Sequence, residues 1–299
     1  VDASFNLMIN KGANDEEVPI QARSLASFLY GRIAALQVHY DMSLRLVQKL
    51  SEVLASAQTL NDFIPICQAL KIICEEFEPE EEEVSALFNT LFGLFESVQD
   101  VQILSQLLDV LSKTVTSLTT ALTNEEILKN TITTLLNLST IDGLQAYAFK
   151  VWSCIYKNCT DDNDNNVIIP LVADQLIEIS IGILANENKT DEDLNAASTL
   201  VKQIAKLEYQ YDSDEFIPVR SNAQPLIVSL IRVCCTASDE SLYDKSYWLP
   251  FMFASNALKK VFILLTDEDL ESVFPIMKNL ATSEHFNERF GGLIILSRI

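Results

Sequence analysis

Apolar residues return every three or four positions along most of this chain. Between Leu60 and Phe77 the apolar set is Phe63, Ile66, Cys67, Leu70, Ile73, Cys74 and Phe77. Between Val101 and Leu118 it is Leu104, Leu107, Leu108, Leu111 and Val115. That rhythm belongs to a helix, since a half-buried strand alternates every second residue. The stripes are wide, and one helix pair cannot cover them. Polar breaks divide the pattern into helix pairs. First members are expected over Met42–Ser56, Glu80–Ser97, Asn124–Leu138, Val167–Ala185, Ala223–Thr236 and Asp267–Ala281. Second members begin near Glu17, Asn61, Asp100, Ile141, Thr190, Leu249 and Phe286, at steps of roughly 44, 39, 41, 49, 59 and 37 residues.

These steps lie near the ~40–47 residues of HEAT and armadillo units. The expected fold is therefore all-α, a HEAT-repeat α-solenoid in which antiparallel helix pairs stack into a right-handed superhelix. Residues 1–299 read as a single array of six complete pairs after a partial one. The segment "EYQYDSDEFIPVRSN" and the stretch Ser238–Ser246 read as polar insertions between elements. The HEAT pattern also places a proline in the first helix about fourteen positions before a basic residue in the second. Pro275 and Arg289 match it, and Gly291 and Gly292 suit close approach of a neighbouring helix. The chain begins at Val1 rather than Met, and its last helix has no polar cap after it. Both are read as marks of a piece of a longer solenoid.

Composition narrows the class. Apolar residues make up 48% of the chain, which excludes disorder, and seven glycines and eight prolines are too few for a turn-rich β fold. The most apolar run, Ile168–Ala185, carries Asp174 and Glu178, so no membrane span is expected. Six cysteines without regular spacing read as reduced core thiols of an intracellular protein. The formal charge of −21 argues against direct nucleic-acid binding and favours a basic partner.

No catalytic motif is present: there is no phosphate-cradling glycine loop, no nucleophile elbow and no paired histidines. Cys154 and Cys159 lack zinc spacing. The run "EFEPEEEE" (Glu76–Glu83) reads as a helix N-terminus whose carboxylates complement the dipole. Catalytic, cofactor and metal residues are all expected to be none.

Two stretches resemble a particular family. "GLQAYAFKVWSCIYKNC" (Gly143–Cys159) has a cysteine two residues after Trp152, and "YWLPFMFASNALKKVFILL" (Tyr247–Leu265) opens a helix with Trp248 and Pro250 after a polar loop. With "FPIMKNL" and "ERFGGLIILSRI" following, the order resembles the importin-β, or karyopherin-β, nuclear transport receptors. The loop before Trp248, "SDESLYDKSY", is less acidic than that family's aspartate run.

The resemblance implies a carrier moving between cytoplasm and nucleus through the nuclear pore. Cargo, or the basic segment of an adaptor, would bind an acidic concave face made by second helices. Phenylalanine-glycine nucleoporin repeats would enter slots between first helices, and the GTPase Ran in its GTP form would release cargo. Asp239, Glu240 and Asp244 would sit where an acidic loop meets Ran or cargo. The helix "SALFNTLFGLFE" offers Phe88 and Phe92 as walls of a nucleoporin slot, or as plain packing. Two other readings stay open: a HEAT scaffold of the phosphatase-regulator or condensin kind, and part of an enzyme whose active site lies elsewhere.

Overall fold

The computed structural model describes residues 2–9, 18–38, 45–76, 81–118, 125–158, 168–211, 215–236 and 249–298. Those residues form helices and connecting turns, with no strand among them. Two compact units divide the chain, Val1–Thr134 and Leu135–Ile299, called here unit 1 and unit 2.

Unit 1 contains α1 (Asp2–Met8), α2 (Ile20–Val38), α3 (Leu46–Ser56), α4 (Leu60–Glu76), α5 (Glu81–Ser97) and α6 (Val101–Leu118). The second helices α2, α4 and α6 stack in that order, α3 packs on α5, and the pairs α3–α4 and α5–α6 close against each other. The apolar stripe of α4 fills the middle, with Phe63, Ile66, Cys67, Leu70 and Ile73 buried. Gly31 of α2 lies against Ile72 of α4, where an added Cβ would come within 2.9 Å of the isoleucine Cβ.

Helix α7 (Glu125–Ser139) crosses the division. Unit 2 continues with α8 (Gln145–Asn158), α9 (Ile168–Ala185), α10 (Asp191–Tyr211), α11 (Pro218–Ser221), α12 (Ala223–Cys234), α13 (Pro250–Leu264), α14 (Asp267–Ala281) and α15 (Phe286–Leu296). Here the second helices α8, α10 and α13 stack as one layer, with α13 also touching α15. On the other side lie the first helices α9 and α12, which pack on each other.

Local chemistry explains several helix starts. Thr59, Thr190 and Thr266 each stand three residues before an aspartate, and each donates its hydroxyl to that carboxylate, at 2.7, 2.9 and 2.7 Å. At Thr190 and Thr266 the aspartate N–H returns a bond to the threonine oxygen, the reciprocal capping box. Asp100 caps α6 through the N–H groups of Gln102 and Ile103 at 2.8 and 3.1 Å.

The proline and arginine of the last pair have separable roles. Pro275 lies inside α14 without ending it. Arg289 of α15 donates Nη1 to the carbonyls of Ser283 and Glu284, at 2.7 and 3.2 Å, and so ties the α14–α15 turn to the second helix. Gly291 allows Cys235 and the Cys234 carbonyl to approach, and Gly292 sits on the backbone of Leu280 and Ala281. A side chain at either glycine meets backbone, so neither tolerates one.

The expected helices are observed, with shifts of a few residues. Asp267–Ala281 and Val101–Leu118 coincide with α14 and α6, while Met42–Ser56 begins four residues later as α3. Helix α8 starts at Gln145 rather than Ile141, after a turn in which Gly143 takes φ 85°, a conformation that favours glycine. One reading needs correction. "EYQYDSDEFIPVRSN" is not simply a polar insertion, because it holds the end of α10 and all of α11, and Glu208 within it is buried.

Candidate interaction surfaces

Two buried glutamates hold helix ends in place. The Glu83 carboxylate, on α5, accepts from the N–H groups of Val47 and Gln48 at 3.2 and 3.4 Å, in the first turn of α3. Helix α3 is preceded by Arg45, which supplies no side-chain cap and takes a strained φ of 20°. Glu83 therefore satisfies donors that would otherwise be orphaned. Glu208, on α10, accepts from Val219 N–H at 2.6 Å, from Arg220 N–H at 3.3 Å and from Arg220 Nε at 2.9 Å. Both glutamates lie in apolar register, Glu83 four residues before Leu87 and Glu208 four after Ile204. A carboxylate on a buried stripe was the signal, but only the neighbouring helix end explains it.

Arginines close the opposite ends. Arg23, almost fully buried, donates Nε to the Met8 carbonyl at 3.0 Å and Nη2 to Asp62 at 2.9 Å. Arg232 of α12 donates Nε to the Leu184 carbonyl at 2.8 Å and Nη2 to Asn186 at 3.1 Å, capping α9.

The second helices of unit 1 are cross-linked by ion pairs. Arg23 and Arg32 of α2 pair with Asp62 and Glu76 of α4. Lys71 of α4 pairs with Asp109 of α6 at 2.7 Å, and Lys113 of α6 reaches back to Glu75. Burial pushes the Asp62 carboxyl up, but bonds from Thr59 and Arg23 outweigh it and hold the group below the usual carboxylate range.

Unit 2 is different. Helices α8 and α13 contain no aspartate or glutamate at all, yet carry Lys150, Lys157, Lys259 and Lys260. Helix α10 keeps its acidic residues at its first turn, apart from the buried Glu208, and adds Lys202 and Lys206 further on. Among the described residues, Lys202, Lys206, Lys259 and Lys260 have no ion-pair partner. The negative charge sits instead on first helices and turns, for example exposed Asp174 and Glu178 of α9 and Asp267, Glu268 and Glu271 of α14. The expected acidic face of second helices is therefore not what the described residues show. In unit 1 its carboxylates are paired with cations of neighbouring second helices, and in unit 2 exposed Lys206 and Lys259 stand on the same layer as exposed Asp191 and Glu192.

The other expected site residues divide sharply. Asp239, Glu240, Asp244 and Trp248 lie outside the described residues. Of the two readings left open for this helix, plain packing holds for Phe88, which is buried, as are Leu91 and Phe95. Only Phe92 of this group is half-exposed; its ring lies 4.3 Å from that of Phe88 and 5.4 Å from that of Phe95, centroid to centroid. The three- and four-residue steps turn most of the set into the core. Trp152 is wholly buried, and its indole N–H donates to Ser139 Oγ at 3.1 Å.

Five described cysteines are unbridged. Burial raises the Cys67 and Cys74 thiols to about 12, so they stay protonated at neutral pH. No group of histidine, cysteine and carboxylate side chains that could hold a metal occurs among the described residues. No described helix is long and apolar enough to cross a membrane.

No protein-family model matches the chain, and no curated protein matches it in sequence. Solved structures do match. Yeast importin-β, Kap95p, aligns over 100% of this chain with a TM-score of 0.76 at 13% identity. The chain has an importin-β-like HEAT-repeat fold. Kap95p in a complex with Nup1 gives the same TM-score and identity, and Kap95p with RanGDP gives 0.73, also at 13%. This chain spans about a third of the length of those chains, 34% to 35%.

Proposed function

We propose that the chain is a nuclear transport receptor or part of one, binding cargo or a cargo adaptor, nucleoporin repeats and the GTPase Ran. The observation that carries this reading is the alignment of every residue with Kap95p, a protein solved with RanGDP and with Nup1. The Trp152 helix and the sequence order around Pro250, Pro275 and Arg289 support it independently of shape. In this reading the protein works by binding rather than catalysis, between cytoplasm and nucleus at the pore.

The charge layout refines which partner meets which surface. Basic surfaces of Ran or of an adaptor would meet the carboxylates of first helices and turns, together with Asp239, Glu240 and Asp244. Exposed pairs of that kind contribute only ~0.2–1 kcal/mol each, so recognition would be spread over many residues. A nucleoporin phenylalanine would need an apolar seat, for which Phe92 is the partly exposed candidate on α5.

The deciding experiment is a pull-down with purified Ran loaded with GTP or GDP. Selective capture of the GTP form is expected. Equal or absent capture of both forms contradicts the transport reading and favours a HEAT scaffold that organises a complex without Ran.

A further inference from the structure

The turn between α9 and α10 is bonded within itself and to the helix pairs on both sides of it. Within the turn, Asn188 N–H donates to Asn186 Oδ1 at 2.9 Å, and Thr190 shares the capping box of α10 with Asp193. Toward the preceding pair, Lys189 Nζ donates to Asp142 Oδ1 at 2.5 Å and to Gln145 Oε1 at 2.6 Å. Asp142 lies in the α7–α8 turn, and Gln145 is the first residue of α8. Toward the following pair, Arg232 of α12 donates to the carbonyls of Leu184 and Asn186. One short turn thus fastens the start of α8 on one side and the end of α12 on the other.

The two fastenings differ in kind. The Lys189 side chain is only 13% exposed and Gln145 is buried, yet the Asp142 side chain is 88% exposed. Half of this ion pair therefore faces water, where dissolved ions screen it. When that attraction weakens, the lysine is held only by a neutral amide, and its charge is better solvated outside the turn. Arg232 instead ends on two main-chain carbonyls at the close of α9. No carboxylate takes part in those bonds, so salt has little ion-pair energy to remove.

We propose that the α9–α10 turn is a salt-sensitive latch that opens on one side only. As ionic strength rises, Lys189 lets go of Asp142 and Gln145 and the first turn of α8 loosens, while Arg232 keeps α12 on the end of α9. The amides that report the opening are those of Leu144 and Ala148, which donate to the Ile141 and Leu144 carbonyls at 3.1 and 2.9 Å. Local opening of this kind needs no melting of the neighbouring helix pair. The latch lies wholly within unit 2, and its test contains no Ran.

The experiment is hydrogen exchange of the full chain, read by mass spectrometry on peptides covering Gly143–Lys150 and Gln224–Val233. It is run at physiological ionic strength and again near ~0.5 M sodium chloride, where screening is strong. In the parent, the α8 peptide is expected to exchange several-fold faster in high salt and the α12 peptide to stay unchanged. Lys189→Met should raise exchange of the α8 peptide about tenfold at the lower salt, by removing a charged donor, and should abolish its salt response. Lys189→Arg should restore protection. Arg232→Met should loosen the α12 peptide and leave the α8 peptide and its salt response intact. An α8 peptide indifferent to salt in the parent overturns the proposal, as does a rise of equal size in both peptides. Unchanged protection in Lys189→Met overturns it as well. The salt response of the parent and the Arg232→Met arm decide the question even if Lys189→Met does not fold.

Discussion

In unit 1 all four cations on α2, α4 and α6 pair with a carboxylate on the next second helix; in unit 2 the lysines of α10 and α13 have no such partner. Arg23–Asp62, Arg32–Glu76, Lys71–Asp109 and Lys113–Glu75 stitch α2 to α4 to α6. Unit 2 joins the same kind of layer by apolar packing and by polar groups aimed at helix ends. Ala197, Leu200, Val201 and Ile204 of α10 are buried, as are Ala254, Leu258 and Val261 of α13. Glu208 and Arg232 secure α11 and α9. The same architecture can thus use its charges for cohesion or leave them for a partner. The first arrangement stabilises the unit modestly, because partly exposed ion pairs contribute little. The second requires the apolar interface to suffice.

The largest effect should come from the apolar side of that contrast. Trp152→Ala is expected to destabilise unit 2 by about 3–5 kcal/mol, through the cavity and the lost bond to Ser139. Denaturant unfolding followed by circular dichroism checks this, and because repeats couple to neighbours the loss should leave unit 1 melting separately. A single cooperative collapse of the whole signal would count against local coupling.

Next in size is the buried carboxylate. Glu208→Ala should cost about 2–4 kcal/mol by leaving the Val219 N–H and the Arg220 side chain without their acceptor. Glu208→Gln should recover part of it, since an amide oxygen can still accept. Hydrogen exchange at Val219 and Arg220 would rise in the Ala variant. If it did not, Glu208 would not be the cap of α11.

Helix phase was legible because it is a local property. Thr266 and Asp269 announce the start of α14 in four residues, and Asp100 does the same for α6. Glu83 and Glu208 were not legible as caps, because the donors they satisfy belong to other elements, 35 or 36 residues away for Glu83 and 11 or 12 for Glu208. The net charge of −21 says nothing of position. That α8 and α13 lack carboxylates is plain in the sequence, but only the stacking shows that these helices form one surface. Phe88 and Phe92 illustrate the same limit at smaller scale: a broad aromatic arc cannot say which ring the neighbour covers.

A smaller effect is expected from the ion pairs of unit 1. Replacing Lys71 and Asp109 by Met and Leu, singly and together, should give a coupling of about 1 kcal/mol in a double-mutant cycle, larger than for the more exposed Arg32–Glu76 pair. Smallest is the acid response of Asp62. Its pKa is lowered in the folded state, so its contribution is present above the unfolded value near ~3.9 and fades as pH falls through the lower folded value. Asp62→Asn should therefore flatten the fall of melting temperature below about pH 4. An unchanged slope would show that the Arg23–Asp62 bond carries no folding linkage.

The contrast between paired and unpaired lysines is most directly read by amine labelling of the native protein with mass spectrometry. Lys206 and Lys259, exposed and without a carboxylate partner, should acylate fast, while Lys71 and Lys113, held by Asp109 and Glu75, should react several-fold more slowly and speed up in high salt as those pairs loosen. Equal rates for all four lysines, at every salt concentration, would contradict the division of the two layers.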